Sequence, residues 1–229
     1  MIRLLFLTLL SLAFHWANSQ KYTDLRVGLS YLNAASWNET IRTYNHSRFW
    51  QENDLPELKG AFAYGLGFSG VAGKGLFLSP SIQYSKFTSQ TPTDKIDLHW
   101  VELELACDIF PLEFGMDSVH FRLRPFVRLG YAGSMLLTRI RLADGNASID
   151  GEPYEPYNWP YILHAALGLR YQPTSVVGFF LLLDARFAPN ARINEFRTAL
   201  LGSNYLNSSD QNNARILGIQ SGITFRIKN

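Results

Sequence analysis

The sequence predicts an all-β fold: an eight-stranded antiparallel transmembrane β-barrel with short periplasmic turns and long extracellular loops. Three observations carry that expectation. Hydrophobic residues make up 47% of the chain, yet beyond the N-terminal stretch no apolar run reaches the ~18 residues a membrane helix needs. Eight extended segments alternate apolar with polar or small residues at period two. Charged residues are only 17% of the chain and collect on one of the two faces of those segments.

Residues 1–19 read as a secretory signal peptide and 20–229 as one outer-membrane β-barrel domain. Arg3 supplies the positive start. Leu4 to Phe14 form an apolar stretch of about eleven residues, too short to span a bilayer. Ala17 and Ser19 are the small residues before a cut at Gln20.

The expected strands are 24–33, 60–70, 76–87, 98–109, 120–133, 161–171, 176–187 and 214–227. The first puts Asp24 and Arg26 on its polar face and ends near Tyr31. In the second, Phe62, Tyr64, Leu66 and Phe68 alternate with Ala and Gly. The third carries Tyr84 and an interior Pro80. The fourth places Glu102, Glu104 and Asp108 on one face. In the fifth, Phe121, Leu123, Val127, Leu129 and Tyr131 oppose Arg122, Arg124, Phe126, Arg128 and Gly130. The sixth sets Leu163, Leu167 and Leu169 against His164, Gly168 and Arg170. The seventh sets Phe179, Leu181 and Leu183 against Asp184 and Arg186. The eighth sets Leu217, Ile219, Ile223 and Phe225 against Gln220, Thr224 and Arg226.

The apolar face has no charge in its middle. An Arg or Lys there would cost about 2–4 kcal/mol at the bilayer midplane, enough to enforce the sorting. A soluble sandwich also alternates, with its apolar face turned inward, so alternation alone does not choose. Three further features favour a membrane. Aromatics mark both ends of the apolar face: Tyr31, Phe62, Tyr84, Tyr131, Tyr161 and Phe187 at one rim, Phe68, Phe121, Tyr171, Phe179 and Phe225 at the other. Connections are long after the first, fifth and seventh runs and short after the second and sixth. Gly and Ala on the polar face suit a crowded eight-stranded lumen. Pro80 and Pro125 cannot donate to a ladder, so each predicts a bulge or a broken ladder. The last strand carries its aromatic, Phe225, four residues before the end.

Leu78-Ser79-Pro80-Ser81-Ile82-Gln83-Tyr84-Ser85, the strand Trp100-Val101-Glu102-Leu103-Glu104-Leu105 and the strand Arg124-Pro125-Phe126-Val127-Arg128-Leu129-Gly130 resemble segments of the Bacteroidota outer-membrane β-barrel family that includes PorT-like proteins. In that family an acidic strand leads to an R-P-Y/F strand ending in Gly. The resemblance covers about half of the mature chain. It implies an outer-membrane barrel and, by itself, no secretion role.

Chemistry-bearing residues concentrate in the expected lumen: Glu102, Glu104, Asp108, Arg122, Arg124, Arg128, His164 and Asp184. Pairing the fourth and fifth runs across residues 110–119 sets Glu102 opposite Arg128, Asp108 opposite Arg122, and Glu104 diagonal to Arg124 and Arg128. Pairing the sixth and seventh sets His164 opposite Asp184. Such a network either fills the barrel and fixes its register or carries a proton or ion path; an eight-stranded barrel has room for little beyond side chains. Catalytic, cofactor and metal residues are expected to be none. His99 and Ser221 lie at different depths and cannot form a dyad, and His46 beside Ser47 is a weak signal for a lipid-modifying enzyme. One cysteine, Cys107, leaves no disulfide framework. Partners are expected to be outer-membrane lipid and a protein or glycan at the outer loops, where Trp37, Tyr44, Phe49, Trp50, Tyr154, Tyr157 and Trp159 supply aromatic contacts. Asn38, Asn45, Asn146 and Asn207 each begin an N-x-Ser/Thr sequon. A net charge of +2 gives no field for nucleic acid.

Overall fold

The computed structural model describes residues 21–48, 53–111, 123–142, 148–149, 152–153, 157–189, 191, 194–201 and 213–227. The expected signal peptide lies outside them. The eight runs are strands β1 (Lys21–Asn33), β2 (Gly60–Gly73), β3 (Leu76–Gln90), β4 (Lys95–Ile109), β5 (Leu123–Arg141), β6 (Tyr161–Tyr171), β7 (Val177–Ala188) and β8 (Ala214–Ile227). Each pairs antiparallel with its neighbours in the chain. β8 also pairs with β1, from Lys21↔Ile227 to Asn33↔Arg215. The sheet therefore closes, and no edge is left to recruit another chain.

The faces sort as the alternation demands. Leu167 is 63% exposed and Leu183 54%, both pointing out, while Arg128 is 1% exposed and Asp184 4%, both inside. Leu, Ile, Val, Phe and Tyr side chains cover the outside of all eight strands. An apolar band running round a whole barrel is far larger than the patches water-soluble monomers expose and matches a hydrocarbon-facing belt. Among the described residues no helix is long and apolar enough to cross a membrane.

At one end the connections are short. β2 and β3 meet at Lys74 and Gly75, where Gly75 has φ 68°, a left-handed conformation that a residue without Cβ adopts freely. Residues 172–176 join β6 to β7. At the other end β1, β5 and β7 give way to long connections. The exception there is the β3–β4 turn, where the Thr91 N–H donates to the Asp94 carbonyl at 2.8 Å and the Asp94 N–H to Thr91 Oγ1 at 2.9 Å.

The structure adds two helices at the loop end where the sequence suggested irregular loops: α1 (Ala35–Ser47) and α2 (Asn194–Leu201). α1 buries Trp37, Ile41 and Tyr44, a spacing of one helical face. Both helices are short and depend on packing for stability, so their signals were weak beside the strands. Asn38 and Asn45, one helical face apart, clamp the returning chain. Each side chain accepts a backbone N–H, from Leu58 at 2.9 Å and Leu55 at 3.0 Å, and donates to the same residue's carbonyl. Their amides are thus used in packing, which argues against the sequon reading at these two positions.

The prolines behave differently from one another. At Pro80 the β2–β3 ladder is interrupted between Gly67↔Ser81 and Gly70↔Leu78 but resumes in the same register, without a bulge. Pro125 pairs with Leu169 on β6 and lies beyond the last β4–β5 pair, Ile109↔Val127. Its missing N–H therefore costs the β4–β5 ladder nothing. The one register irregularity in the β2–β3 ladder falls instead between Val71 and Gly73.

β3, β4 and β5 run further toward the loop end than expected, and their polarity inverts there. On β4 the outward residues Leu105, Leu103 and Val101 give way to His99, Asp97 and Lys95, while inward Asp108, Glu104 and Glu102 give way to Trp100, Leu98 and Ile96. Tyr84 gives way to Lys86 on β3, and Leu137 to Arg139 on β5. This switch marks the level at which the strands leave the hydrocarbon.

Candidate functional site

The lumen has three layers. At the short-turn end Tyr22, Phe77, Phe110, Phe126 and Phe180 form an aromatic floor. Phe110 packs 5.0 Å from both Phe77 and Phe126. The Arg170 guanidinium lies 5.4–5.8 Å from the ring centroids of Tyr22, Phe77, Phe110 and Phe126, which places its charge in an aromatic cage. Glycines make the floor possible: a Cβ at Gly168 would strike the Phe126 ring, and one at Gly222 the Phe180 ring.

The middle layer is ionic and buried. Arg128 grips Asp108 with two parallel bonds of 2.6 and 2.8 Å, a bidentate geometry particular to guanidinium and carboxylate. Ser79 donates to Asp108 at 2.9 Å. Glu104 bonds to His164 Nδ1, accepts from Ser81 at 2.8 Å and lies 3.6 Å from Arg26. Arg186 spans the barrel, donating to Asp184 at 2.8 Å, Glu102 at 2.8 Å and Ser30 at 2.7 Å. Gln220 makes a second crossing, to Gln83 and Asp184 at 3.2 Å each. Asp24 stands 3.7 Å from Arg26 and 4.0 Å from Arg170.

The expected pairings are corrected by register. Asp108 faces Arg128, not Arg122, and Glu102 faces Ser134, not Arg128. Glu104 faces Ala132 and reaches His164 and Arg26 instead of Arg124 and Arg128. His164 faces Arg186, with Asp184 diagonal to it at 3.9 Å. The β4–β5 ladder is set in a different register from the one expected across a 110–119 turn, with Arg128 and not Arg122 opposite Asp108. The slip from Arg122 to Arg128 spans an even number of residues, and an even slip leaves every side chain on its face. Arg124 is half-buried opposite Arg170; Arg122 lies outside the described residues. Sequence reasoning put Arg26, Arg170 and Arg186 on the inner face but left them out of the network. Gln220 was likewise placed on the inner face and left out of the network, and Ser30, Ser81 and Gln83 were missed, which polar alternation on β1 and β3 could have indicated.

The outer layer is apolar. Phe87, Leu98, Trp100, Leu136 and Ile162 from the strands meet Trp37, Ile41 and Tyr44 of α1 and Phe196 and Leu200 of α2. The Trp37 and Phe196 rings lie 5.8 Å apart. Polar latches tie this cap down: Tyr44 OH donates to Asp94 at 3.2 Å, and Ser89 donates to the Pro56 carbonyl. Trp37 and Tyr44 are therefore packing residues and not exposed contacts, because the helix turns them onto the barrel mouth. Trp159 is 68% exposed. The backbone of Tyr157 pairs with Leu137; its side chain, and the whole of Phe49, Trp50 and Tyr154, lie outside the described residues.

Of the groups weighed for catalysis, His99 faces outward and bonds through Nδ1 to the Tyr84 hydroxyl at 2.7 Å, while Ser221 lies on β8 opposite Val27. No group of three or more potential metal ligands occurs among the described residues. Outside the belt, the Arg42 guanidinium at 2.7 Å, helped by Lys59, holds Glu57 below the usual carboxylate range. Partial burial pushes the Asp97 carboxyl up. The Thr88 hydroxyl with Lys86 and Lys95 outweighs that and holds it below its ordinary value.

No family model matches the chain, and no curated protein does. Solved structures do. Neisserial surface protein A aligns over 90% of this chain and 97% of its own, with a TM-score of 0.52 and 9% identity. The attachment invasion locus protein Ail of Yersinia pestis aligns over 91% and 98%, with 0.48 and 8%. The outer membrane protein OprG of Pseudomonas aeruginosa aligns over 91% and 96%, with 0.46 and 9%. At 9% identity the likeness to Neisserial surface protein A is one of fold, and with the sheet closed by the pairing of β8 with β1 the chain is a closed eight-stranded transmembrane β-barrel of the outer-membrane type.

Proposed function

We propose that this chain is a non-enzymatic integral protein of a bacterial outer membrane, with a closed lumen and a structural or partner-binding role carried by its outer loops. The observation behind a closed lumen is the stacking of three filled layers: an aromatic floor, an ionic middle with two trans-lumenal bridges, and an apolar cap sealed by two helices. A conducting pore needs a continuous polar path, and the cap interposes Trp37, Leu98 and Trp100 across it. The barrel therefore fixes its own shape and presents its loops. Trp159 is the described loop aromatic that a protein or glycan partner would meet.

The N-terminal stretch is proposed to be cleaved after Ser19, and the PorT-like resemblance of the β3–β5 segments agrees with such a barrel without assigning it to secretion. In planar bilayers the purified protein should give no discrete conductance steps; steady ohmic channels would overturn the closed-lumen reading. Carbonate washing of cell membranes should leave it in the pellet with Gln20 at its N-terminus; release into the wash would overturn the membrane reading.

A further inference from the structure

One carboxylate of the lumen is held unlike the others. Asp108 takes three hydrogen bonds of 2.6–2.9 Å, and Asp184 takes one of 2.8 Å from Arg186. Asp24 is just as buried, at 1% exposure, yet its contacts are all long. The Ser69 hydroxyl lies 3.4 Å from Oδ2, with Arg26 Nη2 at 3.7 Å and Arg170 Nη2 at 4.0 Å from the same oxygen. Oδ1 accepts no hydrogen bond among the described residues. The groups around it are in the same position. Arg26 keeps one bond, from Nη1 to Ser81 at 3.4 Å. Its Nε and Nη2, with Arg170 Nε and Thr224 Oγ1, are buried without a hydrogen-bond partner among the described residues. Register gathers these groups about one spot. Thr224 is the β8 neighbour of Asp24 and Gly67 its β2 neighbour, and a Cβ at Gly67 would stand 2.6 Å from Arg26 Nη2. The spot lies between the aromatic floor, which Arg170 touches, and the ionic layer, where Arg26 approaches Glu104 at 3.6 Å.

We propose that Asp24, Arg26, Arg170 and Thr224 form a binding site for internal water, enclosed in the lower lumen. Burying charged groups without hydrogen bonds is strongly unfavourable, so native proteins satisfy them with protein or with ordered water. Polar contacts longer than a hydrogen bond are where bridging water sits. The chemistry of the unpartnered atoms selects the occupant. It has to donate to Asp24 Oδ1 and accept from the N–H groups of Arg26 and Arg170. Water does both, and the Thr224 hydroxyl can take either role toward it. A halide cannot donate to the carboxylate, and a metal cation cannot accept from a guanidinium. The inference rests on the closed-lumen reading above: between floor and cap this water is sealed in and exchanges slowly. The closed lumen is then held in two ways. Asp108 and Asp184 are fixed by direct bonds to arginine, whereas Asp24 is fixed through solvent.

The test is magnetic relaxation dispersion of the water oxygen, run on the purified full barrel in detergent, which counts water molecules held longer than the particle takes to tumble. Wild type should hold at least one such water that is lost in Asp24→Leu/Arg26→Met, whose side chains offer it no hydrogen bond. Gly133→Ala, where no heavy atom lies within 4 Å of the added Cβ, should keep the wild-type count. Heat-dependent gel mobility reports whether each variant is folded. Should the double variant fail to fold, Thr224→Val takes its place, with faster exchange of the same water expected. A count and exchange rate unchanged by the pocket variant, or an equal loss in Gly133→Ala, would overturn the proposal. Crystals of the wild type should show a water oxygen within ~3.2 Å of Asp24 Oδ1. Direct bonds from Arg26 or Arg170 to both Asp24 oxygens, or an anomalous peak at the spot in crystals grown with bromide, would also overturn it. Conductance in planar bilayers is scored separately. Absence of long-lived water from a conducting barrel is failure of the closed-lumen reading; its absence from a non-conducting one is failure of the water site alone.

Discussion

Below Val101 and above it, the β3–β5 wall follows opposite rules. In the lower part ionic side chains point in and greasy ones point out; in the upper part Trp100, Leu98 and Ile96 point in while Asp97 and Lys95 point out. The backbone alternation runs unbroken through the switch. Side-chain direction is therefore a property of the strand, whereas the polarity assigned to each direction belongs to the surrounding solvent. Below, the outside is hydrocarbon and charge must hide in the lumen. Above, the outside is water and the inside becomes an ordinary dry core, closed by two helices. One sheet thus carries a membrane protein's sorting at one end and a soluble protein's sorting at the other.

The sharpest way to break this comparison is to attack the upper core. Trp100 is fully buried there, and Trp100→Ala is expected to cost about 3–5 kcal/mol through cavity formation, read as an earlier midpoint in denaturant unfolding from bilayers. A change below 1 kcal/mol would mean the cap is not a packed core. Next in size is a charge placed on each outward face. Leu167→Arg, in the belt, should cost about 2–4 kcal/mol, whereas Gln90→Arg, above the switch, should stay within about 0.5 kcal/mol, as an exposed substitution usually does. Equal costs would place the hydrocarbon boundary elsewhere.

These experiments also mark what the sequence made legible. All eight strands were readable, because lipid on one side and a crowded lumen on the other leave a period-two signature in every strand. The upper ends of β3, β4 and β5 were not, since the expected rule tied charge to the lumen, and Ile96, Leu98 and Asp97 break it in the order a soluble core would. Lumen membership was legible for Glu104, Asp108 and Arg128, but their partners were not. Register between β4 and β5 depends on the length of the connecting turn, and alternation cannot detect an even slip. Trp37 and Tyr44 looked like loop aromatics because a short helix such as α1 exists only through its packing on the barrel, which no local pattern states strongly.

The smallest expected effects compare glycines at the two ends. Gly168 faces the lumen at the floor, where an added Cβ would strike the Phe126 ring; Gly133, outward on β5 near the upper rim, has no heavy atom within 4 Å of such a Cβ. Gly168→Ala should therefore destabilise by about 1–3 kcal/mol, the usual cost of overpacking. Gly133→Ala should be neutral or stabilise by up to about 1 kcal/mol, because the unfolded chain loses freedom at no steric cost. If the collision is the cause, Phe126→Leu should recover most of the Gly168→Ala loss in the double variant, since a smaller side chain vacates the contested space. A loss that persists unchanged beside Phe126→Leu would mean that Gly168 serves the backbone of β6, and that the floor is not packed as tightly as the cap above it.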